Sequence, residues 1–72
     1  MQPDYKSLDI QRIKTFIETH GDAVVTVKDI MEQSRAEKLR VYPILFELEQ
    51  DSWLEVIEES ELGAPVSVRR RQ

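Results

Sequence analysis

Two helix-start patterns lie close together in the middle of this chain. Thr26 stands three residues before Asp29, and Ser34 stands three residues before Glu37. A hydroxyl followed at this spacing by an acidic residue satisfies free backbone N–H groups in the first turn of a helix. The apolar spacing after Thr26 ends near Gln33, so the second helix must begin within one or two residues. Helices joined this tightly cross at a steep angle, which limits the folds available to the chain.

The helix that follows Ser34 carries one continuous apolar stripe. Its members recur at i, i+3, i+4 and i+7, which is the spacing of one helix face: Val41, Ile44, Leu45 and Leu48. Pro43 interrupts this helix, where a proline costs about 3 kcal/mol through a lost hydrogen bond and a clash. Either the helix starts near Arg35 and bends at Pro43, or it starts near Val41 with Pro43 in its first turn. The pattern at Ser34–Glu37 favours the bend.

A further helix is predicted before this pair. Ser7 is its expected N-cap, and the helix should run from Leu8 to His20 after a flexible lead-in over residues 1–6. Asp9 is expected on the polar side of this helix. The opposite, core-facing side holds the apolar residues at helical spacing: Ile10, Ile13, Phe16 and Ile17.

The rest of the chain predicts strands. Residues 23–25 suit a short strand, and the ranges Trp53–Glu58 and Val66–Arg70 suit a hairpin. Alternation predicts that the hairpin turns four side chains inward: Leu54, Val56, Val66 and Val68. The whole chain, residues 1–72, therefore predicts a single α+β domain of order α-β-α-α-β-β, with a basic tail over residues 69–72. The close pair of helices gives it helix-turn-helix geometry.

The composition narrows the classes of function. The chain has no cysteine and one histidine, and it has no glycine-rich phosphate loop, so we expect no catalytic site, no metal site and no cofactor. No apolar run approaches the ~18 residues of a membrane span, and the start lacks a basic-then-apolar signal pattern. We therefore expect a cytoplasmic protein that is not an enzyme and has no membrane partner.

The central segment resembles the bacterial winged helix-turn-helix family. In that family the second helix often opens with an Asp-Ile pair, as at Asp29-Ile30, and the third carries apolar residues placed like Val41, Leu45 and Leu48. A corner then leads into the wing, as Trp53-Leu54 does here. The resemblance covers most of the chain. It implies a three-helix winged helix-turn-helix with a C-terminal β-hairpin wing, acting as a DNA-binding transcriptional regulator.

Three features depart from the family pattern. Ser52 replaces a glycine at the corner, so either it adopts an uncommon backbone conformation or the corner is built differently. The outward face of the third helix, rich in Ser, Thr, Arg and Lys in the family, is apolar here: Leu39, Tyr42, Pro43 and Phe46. The wing loop, normally basic, carries Glu58, Glu59 and Glu61.

The charge distribution supplies candidates for DNA contact despite a net charge of −4. Arg35, Lys38 and Arg40 lie at the start of the third helix, where such helices enter the groove, and Tyr42 follows them. Arg69, Arg70 and Arg71 could clamp the DNA backbone from the second wing strand. The alternatives are a solvated helix end for the first group and a frayed tail for the second. Between Leu45 and Leu62 there are seven acidic residues and no basic one.

The outward apolar face supports a second hypothesis. Leu39, Tyr42, Pro43 and Phe46 could bind a protein partner or a second copy of this chain, because monomers seldom expose large apolar patches. Alternatively, Tyr5 and Leu8 from the lead-in segment fold over the patch, or Pro43 turns part of it into the core. Binding to duplex DNA is the first hypothesis. A protein-interaction or dimerisation module without DNA binding is the second.

Overall fold

A computed structural model describes residues 4–71, which form three helices and three strands. In chain order these are α1 (Tyr5–Thr19), β1 (Val25–Thr26), α2 (Val27–Gln33), α3 (Lys38–Gln50), β2 (Leu54–Glu59) and β3 (Pro65–Arg70). The strands form one antiparallel sheet in the order β1-β3-β2. This order confirms the predicted α+β class and is consistent with a winged helix. None of the helices within residues 4–71 has the length and apolarity needed to cross a membrane.

Helix α1 begins three residues earlier than predicted. The Asp4 carboxylate accepts hydrogen bonds from the backbone N–H of Ser7, at 3.1 Å, and from its hydroxyl, at 2.7 Å. Asp4 is therefore the N-cap and Ser7 is its donor, so Tyr5 and Lys6 are helical and do not belong to a lead-in. The first three residues of the expected lead-in lie outside the described residues. At its other end the helix is followed by Gly21 with φ 61°, as predicted.

The turn between α2 and α3 differs from the predicted capping box. Thr26 caps α2 as expected, accepting from the backbone N–H of Asp29 at 3.1 Å. Ser34 instead accepts from the backbone N–H of Ala36 at 3.2 Å, and Arg35 has φ 69°. These contacts keep the segment out of the helix, and α3 starts only after Glu37, whose side chain makes no cap hydrogen bond. The two helices are thus joined by a tight turn.

Pro43 lies inside α3. The helix starts at Lys38, so the predicted starts near Arg35 and near Val41 are both wrong. The N–H that proline lacks would have donated to the carbonyl of Leu39. Leu39 is 86% exposed, so the position lies at the surface of the helix and not in the core.

The core forms where the three helices meet the sheet. The stripe predicted on α3 is fully buried, with Val41, Ile44, Leu45 and Leu48 each at most 4% exposed. It packs in one cluster with α1, α2 and the sheet, whose most buried members include Ile13, Ile17, Ile30, Leu54 and Val68. Burying a side chain of this size contributes about 1.5–3 kcal/mol. This cluster fixes which side of α3 faces outward.

Two irregularities change the predicted alternation of the wing, the hairpin formed by β2 and β3. Val56 pairs with Val68 and Glu58 pairs with Ser67, which leaves Ile57 unpaired; Val66 is then skipped on the other strand. Extra residues of this kind turn side chains to the other face. Val66, predicted inward, is therefore 41% exposed, and Ser67 is buried at 3% with a hydroxyl that has no hydrogen-bond partner in the described chain.

Ser52 adopts the uncommon conformation that its position requires. Its φ is 61°. The N–H of Trp53 donates to the carbonyl of Leu48 at 2.9 Å, and the N–H of Ser52 donates to that of Glu49 at 3.0 Å. These two bonds are those of a helix end at which glycine is the usual left-handed residue. Ser52 thus holds a conformation that disfavours any side chain.

We expect Ser52→Gly to raise the free energy of unfolding by about 0.5–1 kcal/mol. Removing the side chain relieves the strain of a positive φ, and the greater freedom of glycine in the unfolded chain offsets part of that gain. Urea unfolding monitored by Trp53 fluorescence measures the change. As a control, Gln50→Gly lies two residues earlier with helical backbone and should destabilise by a similar amount. Equal destabilisation by both variants would contradict the role given to Ser52.

Candidate functional site

Arg40, a predicted DNA contact, is held by an acidic side chain of α1. Its Nη1 atom lies 3.0 Å from Oδ2 of Asp9, which is only 3% exposed. Arg12 Nη1 lies 3.3 Å from the other carboxylate oxygen, and the backbone N–H of Glu37 donates to Oδ2 at 3.3 Å. Asp9 therefore faces inward, which corrects its predicted place on the polar side. These contacts join α1 to the start of α3, and they engage the Arg40 side chain in an ion pair.

The charge state of Asp9 follows from these contacts. Burial raises the pKa of the carboxyl group. The hydrogen bonds from Arg40 and from the backbone N–H of Glu37, together with the charges of Arg40 and Arg12, outweigh burial and hold the pKa below its ordinary value of 3.8. Asp9 is therefore ionised at neutral pH and favours the docked position of Arg40.

Arg35 and Lys38 remain exposed at the start of α3. The structure records no ion pair for either side chain within residues 4–71, although the Arg35 carbonyl accepts from Arg12 Nη1 at 3.2 Å. Lys38 and Tyr42 line one hollow of about 490 Å³ together with residues of α2 and β3. Three of the predicted contacts, Arg35, Lys38 and Tyr42, thus share this end of α3.

The three C-terminal arginines lie at the base of the wing. Arg69 donates to Glu55 across the strands, from Nε at 3.0 Å and also from Nη2. The Arg70 guanidinium lies 5.3 Å from the centre of the Trp53 ring. Arg71 donates its backbone N–H to the carbonyl of Trp53 at 3.0 Å. Arg69 and Arg70 belong to β3, so the expected tail is wrong for these two residues; Gln72 lies outside the described residues.

The two basic groups are not brought together. Lys38 opens α3, whereas Arg70 contacts Trp53, which follows the end of that helix. A 13-residue helix separates these two ends by about 18 Å. Between them lies the outward face of α3, which is apolar.

A groove runs between that outward face and the wing. It encloses about 510 Å³ and is lined from α3 by Tyr42, Pro43, Leu45, Phe46 and Glu49, and from the wing by Val56, Glu59, Gly63, Ala64 and Pro65. We call this the α3–wing groove. Phe46 is 60% exposed within it. Three of the four residues predicted for a protein interface, Tyr42, Pro43 and Phe46, line this groove, and Leu39 precedes them on the same helix.

The alternatives that would have covered this face are wrong. Tyr5 and Leu8 do not line the groove and are themselves exposed, and the Tyr5 ring lies 6.0 Å from the Arg40 guanidinium. Pro43 does not turn the patch inward, since Leu39, Tyr42 and Phe46 all remain exposed. The described chain leaves the groove open.

Sequence reasoning missed the wing side of the groove. Val56, Ala64 and Pro65 line it, and Leu62 at the wing tip is 97% exposed. The sequence does contain an indication of this wall, because residues 62–65 are apolar or small although the loop that holds them is acidic. The inward position of Asp9 could also have been predicted, since Asp9 stands four residues before Ile13 and eight before Ile17, on the same helix face.

Comparisons with protein-family models, with curated proteins and with solved structures found no match. Within residues 4–71, no group of three or more His, Asp or Glu side chains could hold a metal ion. The contacts and exposures of this chain's own residues therefore carry the functional inference.

We expect Asp9→Asn to lower the free energy of unfolding at neutral pH by about 1–3 kcal/mol, since Arg40 and the Glu37 N–H lose a charged acceptor. The folded pKa of Asp9 is lowered. The ionised Asp9 carboxylate therefore contributes to the free energy of unfolding at pH values above the pKa that it has in the unfolded chain. This contribution is lost as the pH falls through the lower pKa of the folded state. The difference in the free energy of unfolding between wild type and Asp9→Asn should stay constant from about pH 7 to 5 and shrink below about pH 4.

Urea unfolding across this pH range measures the difference. Asp51→Asn is the control, because Asp51 is exposed and makes no ion pair among residues 4–71. This control should change stability by less than about 0.5 kcal/mol. A difference for Asp9→Asn that is equal at about pH 2 and pH 7 would show that its ionised form does not stabilise the fold.

Proposed function

We propose that this chain is a protein-interaction module that binds a partner in the α3–wing groove. The observation that carries the proposal is Phe46, an aromatic side chain 60% exposed in the middle of the groove's helical wall. Leu39, which lies one helical turn before Pro43 on α3, and Leu62, which precedes the groove-lining Gly63 on the wing, are 86% and 97% exposed. Apolar groups clustered in this way on a small domain are typical of a binding surface.

The shape of the groove supports the same function. A volume of about 510 Å³ is enough to receive large side chains of a partner. Aromatic and aliphatic residues packed into such a hollow supply most of the energy at protein interfaces. Phe46 and Tyr42 also bring large apolar area at little cost in side-chain entropy, which suits them to anchor a partner.

The electrostatics favour a protein partner over DNA. Two of the predicted DNA contacts, Arg40 and Arg69, are in ion pairs with Asp9 and Glu55. The wing instead presents exposed carboxylates, at Glu58, Glu59 and Glu61. A phosphate backbone near this wing would meet negative charge, whereas DNA affinity depends on neutralising phosphates.

DNA binding is the second candidate. The observation in its favour is that Arg35 and Lys38 are exposed at the start of α3 without recorded ion pairs in the described chain. In helix-turn-helix domains this end of the second helix of the motif enters the major groove. Arg70 and Arg71, at the base of the wing, are also exposed.

We expect Phe46→Glu to leave the fold intact and to abolish partner binding, because it puts a charge at an exposed anchor. The measurement needs peptides that bind the chain. They come from a random peptide library that is selected for binding to wild type and against binding to the Phe46→Glu variant. These binders should shift the NMR signals of Tyr42, Val56 and Ala64. Their affinity should fall at least about tenfold with Phe46→Glu and remain with Leu8→Glu, a matched change on α1. A selection that gives no Phe46-dependent binder would contradict the proposal.

For the DNA candidate, random duplex DNA at low salt should shift the amides of Arg35, Lys38 and Arg71, and the shifts should weaken steeply as salt rises. An NMR titration at two salt concentrations measures this effect. The double variant Arg35→Ala, Lys38→Ala should remove the shifts, while Lys6→Ala on α1, where Lys6 pairs with Glu47, should leave them. If wild type shows no shifts at these residues at low salt, DNA binding by this chain is excluded.

A further inference from the structure

We infer that the occupant of the α3–wing groove is a basic amphipathic helix of another protein: an apolar stripe flanked by Lys or Arg. This inference rests on the proposed function and adds the chemistry of the partner. It follows from the charge around the groove, from the nature of its walls and from the symmetry that a second copy would impose.

The groove has an apolar floor and an acidic rim. Tyr42, Phe46 and Val56 supply apolar surface, while Glu49 and Glu59 are the charged residues that line it. No Lys or Arg lines this groove within the described residues. A partner must therefore match apolar contact at the centre with positive charge at the edges.

Further carboxylates lie on the two elements that form the groove, at the C-terminal end of α3 and on the wing. Of the seven acidic residues between Leu45 and Leu62, Glu47 pairs with Lys6 and Glu55 pairs with Arg69. The structure records no ion pair within residues 4–71 for the other five, which are Glu49, Asp51, Glu58, Glu59 and Glu61. Like charges gathered near an apolar surface attract a partner of opposite sign and speed its association.

The groove walls favour a helix over an extended peptide. The α3 wall is a helix, which uses most of its backbone hydrogen bonds internally, and Pro43 has no N–H to offer. On the wing side Pro65 also lacks an N–H. The outer strand β2 offers free backbone groups, but the irregularity at Ile57 interrupts their regular spacing. An extended segment would therefore find no continuous row of backbone partners here, whereas a helix satisfies its own. Amphipathic helices dock into such grooves through anchors at i, i+3, i+4 and i+7.

A second copy of this chain does not fit the same charges. In a two-fold symmetric dimer each surface meets its own copy. Glu49 and Glu59 of one copy would then approach the same acidic rim on the other. Juxtaposed like charges oppose such contact. The occupant is therefore a different, positively charged segment.

The test uses three synthetic peptides of about 18 residues and the 15N-labelled chain. The first has a leucine stripe at helical spacing flanked by Lys; the second has the same stripe flanked by Glu; the third has the Lys residues with the stripe scrambled. The first peptide should shift the signals of Tyr42, Phe46, Val56 and Ala64. The other two should bind at least about tenfold more weakly.

Charge reversal on the protein completes the design. The double variant Glu49→Lys, Glu59→Lys should weaken the Lys-flanked peptide at least about tenfold and strengthen the Glu-flanked one. Glu18→Lys with Glu32→Lys changes the net charge equally on exposed sites of α1 and α2 outside the groove. This control should leave the affinity within about twofold.

Each contrary result separates the two proposals. Equal binding of the Lys- and Glu-flanked peptides at the groove overturns the basic partner and leaves the interaction function standing. No groove shifts with any peptide also overturns the basic helix, while the library selection with Phe46→Glu decides the interaction function independently. A dimer in sedimentation that Phe46→Glu abolishes would make a second copy the occupant and overturn this inference.

Discussion

The burial of one stripe on α3 determines the rest of this structure. Val41, Ile44, Leu45 and Leu48 pack against α1 and the sheet, which sets the rotation of the helix about its axis. Once that rotation is set, the intervening residues must point outward, and Phe46 faces the wing. The same rotation brings Arg40 against Asp9 of α1. Core packing thus creates the apolar groove and also places the Arg40 side chain in an ion pair.

The charge distribution of this chain supports the proposed protein partner over DNA. Asp9 pairs with Arg40 and Glu55 pairs with Arg69, while Glu49 and Glu59 line an apolar groove. Lys38 and Arg70 lie toward opposite ends of α3, and we propose that the surface between them binds a cationic, partly apolar ligand. A fold of this kind does not by itself specify its ligand, and the side chains on its outer face carry that information.

The sequence predicts the parts of the fold that depend on local periodicity. The α3 stripe, the Thr26 cap and the left-handed residue at Gly21 follow from spacing and from backbone sterics. The errors arise where another hydrogen bond or strand pairing competes with the expected pattern. Ser34 matches a capping box, yet its hydroxyl binds the N–H of Ala36. Val66 faces outward because unpaired residues interrupt alternation. The α3 wall of the groove could be predicted from that helix alone. The other wall could not be predicted without knowing the position of the wing.

The unpaired Ile57 has a consequence for how the chain resists aggregation. Strand β2 is one of the two outer strands of the sheet, the other being the two-residue β1, and an outer strand exposes backbone groups that can pair with another molecule. The bulge at Ile57 interrupts the regular spacing of those groups, and Glu58 and Glu59 place charge beside them. Strand-to-strand stacking between copies is therefore disfavoured. The molecule can expose Phe46, Leu39 and Leu62 to solvent without offering a flat sheet edge on which fibrils could grow.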